Sequence, residues 1–289
     1  MSSAHTEAVG VQPRRGAGAA ELPVGARPRW LGAALLRIVV AMTYAFLMAP
    51  ILIVVLTSFN STASTAFPPT GFSLRWYGEF FRSASFVDAF KFSLQLGLAA
   101  AVIATAIGFV SAYGIVRFLG RRRATGQSLA ILPAMIPQIL VSISLLLALT
   151  ALPVPEFGVL LAGHVLICLP FTIAGITASL DGVDPQLEAA AMTLGASRLQ
   201  VLWEVVLPLI APGIISALIF AFIVSFGDTY ISLFLTGPGM TTLPIEIFSY
   251  MQWESTPVVA AITTVQILLI LVLGLAVERL VGLRRIMRF

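Results

Sequence analysis

The stretch that decides the fold is residues 187–212, LEAAAMTLGASRLQVLWEVVLPLIAP, which interrupts the apolar runs of the chain's second half. Just before it, Asp184 can cap a helix whose first residue is a proline, where the missing N–H costs nothing. Gly195 is predicted to end this helix, because the closing residue commonly needs a positive φ. Ser197 and Gln200 match a capping box that starts a second helix. The stretch therefore predicts a helix–turn–helix at a membrane surface.

The first of these helices is predicted to have one narrow apolar face. Leu187, Ala191 and Leu194 recur at i, i+4 and i+7, the spacing of a single helix face. Its alanines keep it slim enough to lie in a groove of a partner. The alternative is an interfacial amphipathic hairpin that has no partner.

Composition places the chain in a membrane. Of its 289 residues, 58% are hydrophobic and 10% are charged, against about 25% charged in a soluble domain. One cysteine excludes an internal disulfide framework, and His5 and His164 are too far apart in sequence for a zinc centre. The net charge of +4 is not a nucleic-acid signature, because the arginines lie between apolar runs. Membrane lipid is the expected surrounding, and no nucleic-acid partner is expected.

Six apolar segments are each close to the ~20 residues that cross ~30 Å of hydrocarbon. Pro133 and Pro137 are predicted to kink the third segment. Residues 1–29 are predicted to be a disordered cytoplasmic tail, which leaves residues 30–289 as a six-helix membrane domain. The segments are 33–57, 92–116, 127–151, 157–179, 211–235 and 258–280.

The basic residues predict the orientation of these segments. Fourteen of the 17 Lys and Arg residues fall on one side of a six-span topology, and Arg75, Arg82 and Lys91 fall on the other. The positive-inside rule makes the richer side cytoplasmic. Both termini and the loop 181–212 are therefore predicted to be cytoplasmic.

Two longer segments, residues 59–90 and 237–257, are then extracytoplasmic. The first contains an aromatic stretch that suits a helix on the membrane surface, and the second carries Glu246 and Glu254. These segments could form a platform for an extracytoplasmic binding protein, or they could be aromatic anchors at the interface.

Polar residues inside apolar segments are the candidates for a solute path. Asp228 is the one carboxylate well inside a predicted span, where a charge costs a few kcal/mol. No basic residue lies inside any span, so an internal ion pair is not expected, and His164 is interpreted as a packing residue at a helix end. Asp228 either lines a path for a polar or cationic solute or fixes helix packing. The pathway candidates are Asp228, Ser225, Gln138 and Gln266.

The 187–212 stretch resembles the cytoplasmic "EAA" loop of binding-protein-dependent ABC transporter permeases. That pattern is Glu-Ala-Ala, three residues, a glycine, nine residues and Ile-x-Leu-Pro. Here nine residues separate Gly195 from Val205-Val206-Leu207-Pro208, but Ala189 holds the glutamate position and the acid, Glu188, comes one residue early. The resemblance implies the following ATPase-coupling residues: Glu188, Ala189, Ala190, Ala191, Leu194, Gly195, Ala196, Leu207 and Pro208.

A wider resemblance is to permeases of the spermidine/putrescine type. It rests on the residues 59–61 and 71–77, on 225–228, on 234–238 and on 242–244. It implies an all-α integral membrane protein with the type I ABC importer permease fold, six transmembrane helices and a cytoplasmic coupling helix. The implied solute is a polyamine, and relatives of this type are also linked to opines and aminophosphonates.

Sequence motifs exclude an ATPase in this chain. It contains no G-x-x-x-x-G-K-[ST] loop, so no enzyme activity or cofactor is expected, and ATP is expected on a separate subunit. The resemblance implies three partners: an ATPase dimer, a second permease subunit (a different chain or an identical one) and an extracytoplasmic binding protein. The implied location is the bacterial inner membrane. The alternatives are an ion-coupled secondary transporter, which typically shows an internal repeat, and a membrane scaffold or channel.

Overall fold

The computed structural model describes the backbone of residues 29–151, 154–237 and 239–286, and the side chains of 34–148, 154–237 and 239–279. The described residues are helical, apart from loops and one isolated bridge between Asn60 and Phe72. The predicted tail, residues 1–29, lies outside the described part except for Arg29. The helices are α1 Arg29–Thr57, α2 Arg75–Arg82, α3 Ala84–Phe118, α4 Arg123–Met135, α5 Gln138–Ala151, α6 Glu156–Asp181, α7 Pro185–Thr193, α8 Arg198–Gln200, α9 Leu207–Phe226, α10 Tyr230–Leu235, α11 Leu243–Trp253 and α12 Val258–Ile286.

The chain divides into two compact units, the first ending at Pro50 and the second beginning at Ile51. In the first unit, every side chain from Leu35 to Pro50 is exposed, although most of them are apolar. A helix that is apolar on all sides is stable when hydrocarbon surrounds it. The second unit contains α2 to α12.

Among the described residues, five helical stretches are long and apolar enough to cross a membrane. A sixth span is reached when α4 and α5 are counted as one, although the two helices meet at a bend of 86°. The predicted kink is therefore confirmed and takes the form of a break at Ile136. Pro137 has no N–H to continue the helix, and it moves the preceding residue into the extended region, where Ile136 has φ −81° and ψ 131°.

The fifth span differs from its predicted bounds, 211–235. A continuous helical stretch begins at Arg198, passes through a π-helical segment, Val201–Val206, and ends at Phe226. The π-helical segment precedes Pro208, whose missing N–H disturbs the regular hydrogen-bond ladder. Gly227 ends α9, and a short helix, α10, follows the break. The predicted span ran through this break because the sequence around it is mostly apolar.

The three helices α3, α6 and α9 pack against one another and form the centre of the second unit. Ala100, Ala101 and Ala104 of α3 have no exposed surface, and Thr172 Oγ1 of α6 donates to the Ala104 carbonyl at 3.0 Å. A Cβ atom at Gly108 would overlap the Thr172 side chain. Small residues allow this close approach of helix backbones, so α3 and α6 are in close contact around Gly108 and Thr172.

Candidate functional site

The predicted local signals of α7 are confirmed. Asp184 caps the helix by accepting a hydrogen bond from the Gln186 N–H at 2.9 Å. At the other end, Gly195 has φ +97°. Its N–H donates to the Met192 carbonyl at 3.0 Å, and the Ala196 N–H donates to the Ala191 carbonyl at 3.1 Å. This is the Schellman arrangement, which satisfies the last carbonyls of a helix.

The capping box after the turn is also confirmed. The Ser197 N–H donates to Gln200 Oε1 at 2.8 Å, and the Gln200 N–H donates to Ser197 Oγ at 3.3 Å. The helix that starts here is not a separate surface helix, because it continues through the π-helical segment into α9. The turn at Gly195 is therefore joined directly to a membrane span.

The predicted coupling residues lie on α7 and on the segment after it, and they differ in exposure. Leu194 is 90% exposed, and Leu187, outside that set, is 49% exposed, so the predicted apolar face is largely uncovered. Glu188 is buried. The exposed members of the set are Ala189, Ala190, Leu194, Gly195 and Pro208, and the partly buried members are Ala191, Ala196 and Leu207.

Glu188 is directed into its own subunit, where Arg117 at the end of α3 binds it. Arg117 Nε donates to Glu188 Oε1 at 2.7 Å, and Arg117 Nη2 lies 2.7 Å from the same oxygen. The two side chains are 14% and 12% exposed. From the sequence, Arg117 is only one of the charges that set the topology, because no local pattern connects residues 71 positions apart.

A second ion pair joins the same two loops. Arg123, the first residue of α4, pairs with Asp181, the last residue of α6, and both are partly exposed. The end of α3 is therefore attached to α7, and the start of α4 to the end of α6, by one ion pair each.

Asp228 lies in the break between α9 and α10 rather than inside a helix. Its Oδ2 accepts hydrogen bonds from the N–H groups of Ile231 at 2.9 Å and Ser232 at 3.2 Å, so it satisfies the first donors of α10. His164 Nε2 lies 3.9 Å from the same oxygen, and each of these two side chains is 1% exposed. A neutral imidazole forms no ion pair with a carboxylate, so the expectation that Asp228 has no internal ion pair stays a prediction.

His164 is not at a helix end, as was expected, but inside α6. Its Nδ1 is 2.8 Å from Ser225 Oγ, and its Nε2 is 3.3 Å from Ser232 Oγ. The imidazole thus bridges α6, α9 and α10. Within this cluster Asp228 Oδ1 is buried without a hydrogen-bond partner among the described residues. The bridge supports the packing role that was predicted for His164.

The structure brings together only two of the four predicted pathway residues. Ser225 and Asp228 meet at His164, and both are buried within this subunit. Gln138, the first residue of α5, is exposed beside the α4–α5 bend, and Gln266 is half-buried on α12. Among the described residues, no hydrogen bond joins either glutamine to the cluster.

In the first predicted extracytoplasmic segment, residues 59–90, the buried Asn60 forms hydrogen bonds with several parts of the segment. Asn60 Nδ2 donates to the Ser64 carbonyl at 2.8 Å, and Asn60 Oδ1 accepts from the Thr70 side chain at 3.1 Å. Trp76 Nε1, on α2, donates to the Asn60 carbonyl at 2.7 Å. The helix expected in this segment is therefore present as α2, with Trp76 and Phe80 buried.

The second such segment forms α11. Glu246 accepts a hydrogen bond from Ser85 Oγ on α3. Tyr250 Oη donates to Glu254 Oε2 at 2.6 Å. Burial, and to a smaller extent this hydrogen bond, raises the pKa of Tyr250 above its ordinary value. Trp253 remains 87% exposed. Both glutamates are thus used within the chain.

The fold and the interrupted loop together define a multi-span transport subunit. The family described as "Binding-protein-dependent transport system inner membrane component" matches residues 104–285, and the chain belongs to this family. It is a multi-pass inner-membrane permease and not an enzyme, because ATP hydrolysis in this family is carried by a separate subunit.

Individual proteins support this assignment. The chain is 32% identical over 234 residues to the spermidine/putrescine transport system permease protein PotC of Escherichia coli K12, covering 81% of this chain and 88% of PotC. It is 35% identical over 235 residues to the putrescine transport system permease protein PotI of the same strain, covering 78% and 83%. Among solved structures, a bacterial alginate ABC transporter, crystallised with an alginate pentasaccharide-bound periplasmic protein, aligns with a TM-score of 0.67 at 18% identity. That alignment covers 90% of this chain and 96% of the other, and it shows the type I permease fold.

Proposed function

We propose that this chain is one permease subunit of an ATP-driven importer for a polyamine such as spermidine or putrescine. The observation that carries the substrate class is the similarity to two polyamine permeases, at 32% and 35% identity over about four fifths of the chain. A second permease subunit, an ATPase dimer that binds ATP and an extracytoplasmic binding protein complete the transporter.

The exposed side of α7 and the turn after it is the proposed docking surface for the ATPase. Leu187, Met192 and Leu194 are between 45% and 90% exposed, and Leu199 and Trp203 are each 64% exposed. Exposed apolar side chains on a segment that is predicted to face the cytoplasm suit an interface with another protein. Gly195 lies in the middle of this surface and permits a close approach of partner backbone.

The solute path is proposed to pass the α4–α5 bend rather than Asp228. Both oxygens of Asp228 are shielded inside the subunit, whereas Gln138 is exposed beside the bend. Irregular backbone at membrane depth is tolerated where it lines a cavity or contacts protein. We therefore propose that Gln138 faces the path, with Gln266 and Ser225 as secondary candidates.

Uptake in spheroplasts tests the substrate class. Cells that lack this chain should take up radiolabelled putrescine or spermidine only after the chain is restored, and uptake should stop when ATP is depleted. A matched restoration with Gln138→Leu should lower uptake while the chain remains in the membrane. Restored uptake that unlabelled 2-aminoethylphosphonate or an opine inhibits, and polyamines do not, would instead assign one of those solutes.

A further inference from the structure

Resting on the function proposed above, we propose that Arg117 is a positioning residue of the transport cycle. Through the Arg117–Glu188 ion pair, here named the clamp, it passes movement of α7 to α3. The ATPase would then move two spans from one docking helix, α9 by direct chain continuity and α3 by the clamp.

Two faces of α7 differ in their surroundings. Leu187 and Leu194 are exposed, whereas Glu188 is buried against Arg117. Ala191 and Ala196 pack on the apolar cluster that includes Val201 and Val206 of the π-helical segment. That cluster also contains residues of α3 and α6, and the ion pair adds a polar contact between α7 and the end of α3.

The clamp is a firm attachment. Arg117 Nε donates a hydrogen bond to Glu188 Oε1 at 2.7 Å, and hydrogen bonds between charged partners are short and strong. Because both charges are largely withdrawn from water, separating them would leave an uncompensated buried charge. The pair should therefore move as a unit.

The two charges lie at the ends of their helices. Arg117 lies in the last turn of α3 and Glu188 in the first turn of α7. Each charge has the sign that its helix end favours, so the clamp joins two helix ends. Since α3 packs along both α6 and α9, displacement of its end reaches the centre of the subunit.

The test compares ATP hydrolysis with solute uptake in proteoliposomes that contain the complete transporter. The variants are Arg117→Met, Glu188→Gln and the charge reversal Arg117→Glu/Glu188→Arg. The matched control is Arg122→Met, which removes an exposed cation of the same loop for which the described residues show no ion pair. Retention of the ATPase subunit during purification is measured for every variant.

We expect the two single variants to retain the ATPase subunit but to lower solute imported per ATP hydrolysed by about tenfold, within the range of coupling between sites. The charge reversal should recover most of this ratio, and Arg122→Met should leave it unchanged. Glu188→Gln keeps the size of the side chain. If the Arg117→Met protein does not accumulate in the membrane, the result for Glu188→Gln therefore tests the proposal.

Three outcomes would overturn the proposal: an unchanged ratio in Glu188→Gln, no recovery in the charge reversal, or loss of the ATPase subunit from the single variants. The last would make Glu188 a docking residue instead. A wild-type transporter that hydrolyses ATP without importing polyamine contradicts only the proposed substrate. The clamp is then judged by the stimulation of ATP hydrolysis by the binding protein, which the single variants should lose.

Discussion

The carboxylate of Asp228 caps a helix that begins inside an apolar region. Its Oδ2 accepts from two N–H groups of α10 and lies near His164. The sequence could show that Asp228 is an unusual residue in an apolar run. It could not show the neighbour, because His164 is 64 positions away and only packing of α6 against the break brings the two together. The Gly227-Asp228 pair was nevertheless a usable local signal for the break, since glycine ends helices and aspartate starts them.

Substitution of Asp228 should separate capping from charge. Asp228→Leu leaves two buried N–H groups unsatisfied, at about 1–3 kcal/mol each, whereas Asp228→Asn retains an acceptor. We expect Asp228→Leu to lower the apparent unfolding temperature in detergent and the amount of protein in the membrane, with Asp228→Asn close to wild type. Asp88→Leu is the control, because that carboxylate is exposed. Normal stability of Asp228→Asn combined with a loss of uptake would show that the charge itself serves the solute path.

The features of the helices that could be predicted are the starts, ends and bends that depend on residues close together in sequence. The start of α7 at Asp184, the turn at Gly195 and the capping box at Ser197 depend on hydrogen bonds that span five residues or fewer. The bend between α4 and α5 followed from proline chemistry in the same way. The continuity of the second loop helix with α9 was not predictable, because a π-helical segment can absorb Pro208 where an ordinary helix would stop.

A substitution in the turn between α7 and α8 tests whether the ATPase docks on this surface. A Cβ atom at Gly195 would meet no other atom within 4 Å, so Gly195→Asp should leave the spans folded, at a local cost of about 1–2 kcal/mol for its left-handed backbone. The added side chain projects from the proposed docking surface, and we expect it to lower both ATPase co-purification and solute uptake.

A matched control exists on another segment of the chain. Gly239 has φ +80° and is equally open, so Gly239→Asp carries similar backbone strain away from the docking surface. ATPase retention should be normal in this variant. Equal loss of the ATPase in both variants would show that strain, rather than contact at Gly195, causes the effect.

For the molecule as a whole, the structure and the sequence supply different halves of the topology. The ion pairs Arg117–Glu188 and Arg123–Asp181 require the loop after α3 and the loop around α7 to lie on the same side of the membrane. Neither pair says which side that is. The distribution of basic residues, fourteen against three, supplies the absolute orientation, because positive residues are retained in the cytoplasm.

Cysteine labelling tests this orientation. The native Cys168 is completely buried, so it should give little background labelling. Ala124→Cys and Ser197→Cys, both at exposed positions, should react with a membrane-impermeant maleimide only in opened spheroplasts. Ala63→Cys is exposed in the segment around Asn60 and should react in intact ones. Because the ion pairs join their loops, Ala124→Cys and Ser197→Cys must always agree. Labelling of both from outside would reverse the orientation and remove the docking surface from the ATPase, whereas disagreement between them would break the relative arrangement of α3 and α7 itself.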